Sequence, residues 1–298
     1  MTKNKKLKVA ILGGGLIGTD LLIKVIRSSM LECTGFISKS INSTRMAKAI
    51  SLGIPISDKG INAIEDNPDM YDLVFDATSA SGHLIHAPIL EKLGKMVIDL
   101  TPAKLGKMCV PAVNIDECLH LHNVNMITCG GQATIPLAYV IAKVHDFDVD
   151  YIEVVSTISS RSAGPATRSN IDEYIDTTEK GLLHFSKAKK TKAILVLNPA
   201  EPCINMQNTI CAIVKNPKMN ELKIQVSKMV DVLKSYVPGY EIAVEPTIEG
   251  NRIIIMIRVK GLGDFLPSYA GNLDIINCAA VIIAEKYAIK RQTNHGES

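Results

Sequence analysis

One of the seven cysteines stands directly before two glycines, in "MITCGGQATIPLAYVIAKV", Met126 to Val144. The stretch reads as a short strand leading into a helix from about Ala133 to Lys143, with Cys129 at the seam. A nucleophilic cysteine reacts as its thiolate, and a helix N-terminus favours that form by lowering the thiol pKa. Gly130 and Gly131 allow close backbone approach to a reacting carbonyl, and their N–H groups are expected to cradle the oxyanion that develops on it. Cys129 is therefore the expected covalent nucleophile. The other six cysteines have a blander reading. Cys33, Cys211 and Cys278 sit within apolar elements, and Cys109, Cys118 and Cys203 lack the glycine-helix context, so packing is their expected role.

A second constellation lies near the N-terminus. In "LKVAILGGGLIGTDLLIKVIRSS", Gly13, Gly15 and Gly18 match G-x-G-x-x-G after a strand and at the opening of a helix. Glycines there permit a tight turn, close approach to a pyrophosphate, and helix-strand contact, while the helix N-terminus offers N–H donors. Gly14, Leu16, Ile17 and Thr19 complete the expected dinucleotide turn; a ligand-free strand-helix turn is the competing reading. The following strand, "ECTGFIS", completes a βαβ unit and runs into "FISKSINSTR". An acidic residue there would hold a ribose 2′-hydroxyl. Ser38, Lys39, Ser40 and Arg45 stand there instead, hydroxyls and cations that suit a 2′-phosphate, so NADP is expected to be accepted beside NAD. Taken singly, Lys39 and Arg45 are also ordinary solvated side chains.

Metal chemistry has weaker support. His83 and His86 are three apart on an expected, partly exposed helix, and Cys118, His120 and His122 cluster in "ECLHLHN". Neither group has a fourth ligand nearby, so no metal site is expected.

These residues need a scaffold. "YDLVFDATS", "KMVIDLT" and "VNMITC" are short apolar runs ending in small or polar residues, as parallel strands do at their carboxyl edge, where ligands bind. After Cys129 come longer strand candidates, "YIEVVSTISS", "AILVLNP", "TICAIV" and "RIIIMIRVKG", with a helix from about Asn220 to Tyr236. This mixture predicts an antiparallel sheet with helices on one face. The tail "NLDIINCAAVIIAEKYAIKR" reads as a long apolar-striped helix that packs back on the first domain. The expected fold class is α/β: a dinucleotide-binding domain over 1–129, completed by the helix 271–298, and an α+β catalytic and dimerisation domain over 130–270. Asp172, Glu173 and Glu179 are expected on a solvated helix face.

Composition bounds the function classes. Of 298 residues, 47% are hydrophobic and 21% charged, the profile of a globular chain with a substantial core. Four lysines in the opening "MTKNKKLK" outnumber the whole net charge of +3, from 33 basic and 30 acidic residues. The remainder is close to neutral, which argues against a nucleic-acid or membrane-surface footprint. The apolar run after Lys3 to Lys8 is too short for a signal peptide, no run is long enough to span a membrane, and the unpaired cysteine number fits a reducing cytoplasm.

The motifs "TCGGQATIP", "FDATSAS", "IDLTPA", "SAGPATRSNIDE", "NPAEP", "YVPGY" and "LPSYAGNLDI", in order over nearly the whole chain, resemble the acylating acetaldehyde dehydrogenases, partners of 4-hydroxy-2-oxovalerate aldolase in aromatic catabolism. The resemblance implies a Rossmann domain joined to a catalytic domain similar to those of semialdehyde and glyceraldehyde-phosphate dehydrogenases. It also implies a homodimer, an aldolase complex, a small aldehyde as substrate, NAD as cofactor and coenzyme A as co-substrate. The implied reaction joins Cys129 to acetaldehyde, passes a hydride to the nicotinamide, and hands the thioester to coenzyme A. By family position, Gly14 to Ile17, the stretch Ser162, Ala163, Gly164, Pro165, Ala166, Thr167, Arg168, Ser169 and Asn170, and Asn272 contact the cofactor. Read without the family, "SAGPATR" is a polar loop after a strand; its small residues and Arg168 suit a phosphate-bearing ligand.

The chain also departs from the family. Asn208, in "NMQNTI", stands where the family has an aspartate thought to activate the cysteine, and asparagine cannot accept a proton. Asn208 is then either an orienting catalytic partner or a strand-edge polar residue. Ala166 replaces the usual glycine, Leu16 the usual asparagine, and the segment from Glu241 to Ile253 is shorter than usual. Two alternatives follow: a phosphate-using or reductive semialdehyde dehydrogenase, for which Arg161 or Arg168 would bind the anion, and a catalytically impaired cofactor-binding subunit of an aldolase complex.

Overall fold

The computed structural model describes residues 6–39 and 44–296. Ser40 and the lysines before Lys6 lie outside the described residues. The chain divides into two compact units, one of Met1–Met126 with Asn277–Ser298 and one of Ile127–Ile276. These divisions fall three residues before and six residues after the expected boundaries at 129/130 and 270/271.

The first unit carries seven parallel strands: β1 (Leu7–Leu12), β2 (Leu31–Ile37), β3 (Ile56–Ser57), β4 (Leu73–Asp76), β5 (Met96–Asp99), β6 (Lys107–Met108) and β7 (Asn123–Asn125), in the order β3-β2-β1-β4-β5-β7-β6. Helices α1 (Leu16–Arg27), α2 (Thr44–Ser51), α3 (Asn62–Asp66), α4 (Ala80–Lys92) and α5 (Pro111–Cys118) connect them. β4 and β5 are buried along their whole length, which is why they read as continuous apolar runs rather than alternating ones. The strand order and crossovers make this a Rossmann-like sheet. In the C-terminal part of the chain, the Asn277 side-chain amide donates to Ile17 O at 3.1 Å and Asp20 Oδ2 at 2.9 Å. Further along, Ser28 donates to Glu285 at 2.6 Å and Arg291 pairs with Asp72 at 2.8 Å. The last helix thus completes the first unit.

The second unit is built on β8 (Val149–Ser159), β9 (Lys190–Asn198), β10 (Met206–Val214), β11 (Tyr240–Glu249) and β12 (Arg252–Val259), in the order β11-β12-β10-β8-β9. The sheet is mixed, not antiparallel as expected, because β9 runs parallel to β8. Parallel neighbours need a crossover, and here α7 (Pro165–Ser169) and α8 (Ile171–Ser186) supply it. Helices α6 (Cys129–Val144) and α9 (Met219–Lys234) complete the unit. Burial alternates strictly along β10 and most of β8, as expected of strands with one face packed under helices. Helix α10 (Gly271–Gly296) follows. Among the described residues no helix is long and apolar enough to cross a membrane.

Candidate active site

The glycine turn assigns each glycine a separate task. Gly13 has φ +122°, a backbone state L side chains rarely adopt, and a Cβ there would collide with Ala77 O. A Cβ on Gly18 would collide with Gly13 O, so this glycine seats α1 against the turn. At Gly15 nothing lies within 4 Å of an added Cβ. Gly15 is also the N-cap of α1, with no side-chain cap and no acidic residue in the first turn. The opening N–H groups of Leu16, Ile17 and Gly18 thus face an uncrowded, electropositive end, the cradle a pyrophosphate requires. Thr19 is buried and its hydroxyl donates to Gly15 O at 2.8 Å, so it braces the turn from behind. At the end of β2, Ser38 is half-buried and Lys39 exposed; no carboxylate stands at either position.

Cys129 is the first residue of α6, four residues before the expected start. The helix begins early because Thr128 caps it, accepting from Gly131 N at 2.9 Å. The preceding Ile127 has φ +63°. For a β-branched residue this left-handed state costs on the order of 1–3 kcal/mol and has to be held by its surroundings. Around Cys129 stand side chains from α8 and the sheet. Tyr174, the fourth residue of α8, places its hydroxyl 3.7 Å from Cys129 Sγ, and the same oxygen accepts from Gly130 N at 3.0 Å. One turn further, Thr178 Oγ1 lies 2.8 Å from Thr128 Oγ1. A turn beyond that, a Cβ on Gly181 would stand 2.9 Å from Ile135 Cδ1. The 174, 178, 181 stripe of α8 thus packs along the start of α6.

Burial works against ionisation of the sulfur. Cys129 is half-buried, and desolvation raises its thiol pKa; the Tyr174 hydroxyl is the largest of the opposing influences, followed by Gly130 N–H. Burial thus opposes the thiolate that the helix N-terminus is expected to favour. The glycine N–H groups are also committed elsewhere: Gly130 N to Tyr174 and Gly131 N to Thr128. They are not a ready oxyanion cradle.

Asn208 lies on β10, a central strand, not on a sheet edge, and is 0% exposed. Neither Nδ2 nor Oδ1 has a partner among the described residues. Its cross-strand neighbour is Ser156, 1% exposed, with its hydroxyl toward the Tyr174 phenol. Ser156 Oγ would stand 2.7 Å from a Cβ on Gly130, which puts it beside Cys129 and Tyr174. Asn208 is thus one strand away from the Ser156 that stands beside the Cys129–Tyr174 contact. Sequence reasoning missed Tyr174 and Ser156. The i, i+4, i+7 spacing of Tyr174, Thr178 and Gly181 was the available signal.

The stretch Ser162 to Asn170 forms the turn from β8 into α7 and α8. Arg168, expected to suit a phosphate, instead donates to Ala163 O at 3.1 Å and to Ser160 O and Oγ at 2.8 Å each. Its guanidinium ties the loop together. Arg161 pairs with Glu201 at 2.7 Å. Both arginines that a phosphate-using alternative would need are thus already engaged. Asn272 is buried, and its Nδ2 reaches Ser162 O at 3.5 Å while Oδ1 is unpaired among the described residues. The structure therefore joins this predicted pair. Ser162 and Ala163 are buried, Gly164, Thr167 and Asn170 intermediate, and Arg168 and Ser169 exposed; Pro165 and Ala166 open the short α7, and their side chains lie outside the description.

Two expectations of solvation fail. His83 and His86 are not partly exposed but 0% and 7% exposed, and Nδ1 of each lies 2.9 Å from Asp76 Oδ2. Glu179 accepts from Ala193 N at 3.0 Å and so ties α8 to β9, whereas Asp172 and Glu173 are exposed as expected.

Residues 129–267 match the family model described as "Prokaryotic acetaldehyde dehydrogenase, dimerisation". The chain is 57% identical to an acetaldehyde dehydrogenase of Spirochaeta aurantia, over 95% of each chain. It is 55% identical to one of Pectobacterium atrosepticum, over 95% of this chain and 96% of that one. The structure is similar to aspartate semialdehyde dehydrogenase II of Vibrio cholerae, solved with ASA, at a TM-score of 0.66 and 13% identity, over 96% and 99% of the two chains. That likeness is one of fold.

Proposed function

The chain belongs to the acetaldehyde dehydrogenase family, and on that premise we propose that it is a CoA-acylating enzyme working through a Cys129 thioester. The observation that carries this reading is the half-buried sulfur at the first turn of α6, set against a buried phenol and near buried Ser156, whose cross-strand neighbour is the buried Asn208. The coarser statement, an oxidoreductase acting on the aldehyde group, follows from the family.

In this reading the Cys129 thiolate adds to the carbonyl carbon of acetaldehyde, and the C=O electron pair moves onto oxygen. Asn208 Nδ2 donates to that oxygen; an amide cannot act as a base, but it can stabilise developing negative charge. The Gly13–Thr19 turn would hold a nicotinamide cofactor, NAD or NADP, which would supply a hydride acceptor for the former aldehyde carbon. Cys129 is left as a thioester. The sulfur of coenzyme A attacks the acyl carbon and the Cys129 thiolate departs, so the acyl group passes from thiol to thiol instead of to water. The family model's description as a dimerisation domain supports a homodimer. Supply of acetaldehyde by a 4-hydroxy-2-oxovalerate aldolase partner is part of the proposal, and co-elution of the two proteins tests it.

The decisive experiment is Cys129→Ala. Cofactor reduction dependent on both acetaldehyde and CoA is expected to fall at least about 1,000-fold, as removal of a covalent nucleophile does. Intact-mass analysis of the unaltered protein, mixed with acetaldehyde and oxidised cofactor without CoA, is expected to show an acetyl adduct on Cys129. Undiminished turnover in the variant would rule out the thioester route.

A further inference from the structure

Asn208 leaves open how Cys129 becomes a thiolate, and burial works against ionisation. We propose that Tyr174 is a catalytic residue: its phenol hydroxyl, fixed by the Gly130 N–H, donates its proton in a hydrogen bond to the Cys129 sulfur and holds it as the anion. This rests on the reading of Cys129 as the nucleophile.

The geometry gives the phenol one orientation for this task. Its oxygen accepts from Gly130 N at 3.0 Å, which occupies one lone pair and pins the oxygen over the first turn of α6. Cys129 Sγ is 3.7 Å away, within hydrogen-bond reach for sulfur. As a thiol, the cysteine donates to the phenol oxygen. Once its proton has left for solvent, which this half-buried side chain can reach, the hydroxyl turns and donates to the sulfur. No other atom need move. Ser156 Oγ, buried beside the phenol, is a resting acceptor for the hydroxyl proton while the sulfur still carries its own.

The phenol is a donor here and not a base. Burial, then the charge and hydrogen bond of Cys129, push its own pKa well above the ordinary value for tyrosine. A phenol that keeps its proton next to a sulfur that loses one is the arrangement in which the hydrogen bond stabilises the anion. The residue is held for this position from both ends of its turn: Thr178 Oγ1 donates to Tyr174 O at 2.7 Å and meets Thr128, the cap of α6, at 2.8 Å.

The test measures the sulfur directly. Rates of Cys129 alkylation by iodoacetamide, followed on the Cys129 peptide by mass spectrometry, give the thiol pKa without any turnover. In Tyr174→Phe the midpoint is expected to rise by about one pH unit or more, the scale of one lost hydrogen bond to a charged group, with a fall in kcat larger than any change in KM. Since the Phe variant also empties a buried hydrogen bond, a second protein carries 3-fluorotyrosine at 174, nearly the same shape with a more acidic hydroxyl. Its midpoint is expected to fall below that of the unaltered protein. An unchanged alkylation midpoint in the fluorinated protein overturns the proposal, whether or not the Phe variant folds. If the midpoints move as expected while the unaltered protein shows no CoA-dependent acetaldehyde oxidation, the proposed function fails and the role of Tyr174 at the sulfur stands.

Discussion

A methyl group added at Gly130 would collide with the Tyr174 hydroxyl and stand 2.7 Å from Ser156 Oγ, so the smallest substitution there pushes the phenol off the sulfur. Gly130→Ala is expected to lower kcat by about 100-fold, the usual consequence of displacing a reacting group by an ångström, while leaving cofactor affinity at the Gly13–Thr19 turn unchanged; titration of bound dinucleotide by fluorescence separates the two. At this scale the sequence told half the story. Cys129 is legible because cysteine, two glycines and a helix start are all local. Tyr174 and Ser156 come from 45 and 27 residues along the chain, and only the packing of α8 and β8 brings them to the sulfur. Local reasoning also assigned the glycine N–H groups to an oxyanion, when Tyr174 and Thr128 already hold them.

The elements were legible where periodicity was clean and less so where capping or pairing decided. The start of α6 lies four residues before its apolar stripe, set by the Thr128 cap. Strand β11, in "YEIAVEPTIE", was missed because its only buried residues are Tyr240 and Pro246 and the alternation seen in β10 is lacking. The carboxyl ends of β4 and β5 hold a polar cluster that no spacing announces. Asp76 accepts from His83 and His86, and Asp99 accepts from Thr101 N at 2.7 Å and from Asn125 Nδ2 at 3.0 Å. His83 Nε2 is 3.5 Å from Asp99 and 3.0 Å from the Asn123 amide. Burial raises the Asp99 carboxyl to about 7 from an ordinary 3.8. The folded state then holds a proton that the unfolded state gives up. The stability this brings is complete below about pH 4 and lost as pH rises toward 7, by at most ~1.4 kcal/mol per pH unit. His83, also raised by its carboxylate partners although burial opposes them, adds a loss of the same sign above its ordinary 6.5. Asp76, held low by the two histidines against its own burial, contributes stability that disappears only in stronger acid. Denaturant melts at pH 5 and 7 are expected to show the decline in the unaltered protein and a flatter profile in Asp99→Asn.

For the whole molecule, the informative surface is the side of the mixed sheet away from its buried face. Along β8, β10 and β12 the residues alternating with the buried ones are only half-covered, and they include Val155, Cys211, Ile213, Ile254 and Met256. At the sheet margins Ile194, Val196, Val244 and Ile248 are exposed, at 37% to 45%. This many accessible apolar side chains, set among Glu153, Thr157, Gln207, Thr209 and Arg258 on one sheet face, are unusual on a lone globular protein, and they lie within the region matched by the dimerisation model. Light scattering is expected to give the mass of two chains, and Ile254→Glu, a charge set among those side chains, to shift the population to single chains. Asn208 is a buried amide with no hydrogen-bond partner among the described residues. Whatever carbonyl oxygen or ordered water reaches that amide settles the fold as well as reacting or resting there. The same atoms that would steady a transition state would then make the occupied enzyme slower to wear out than the idle one.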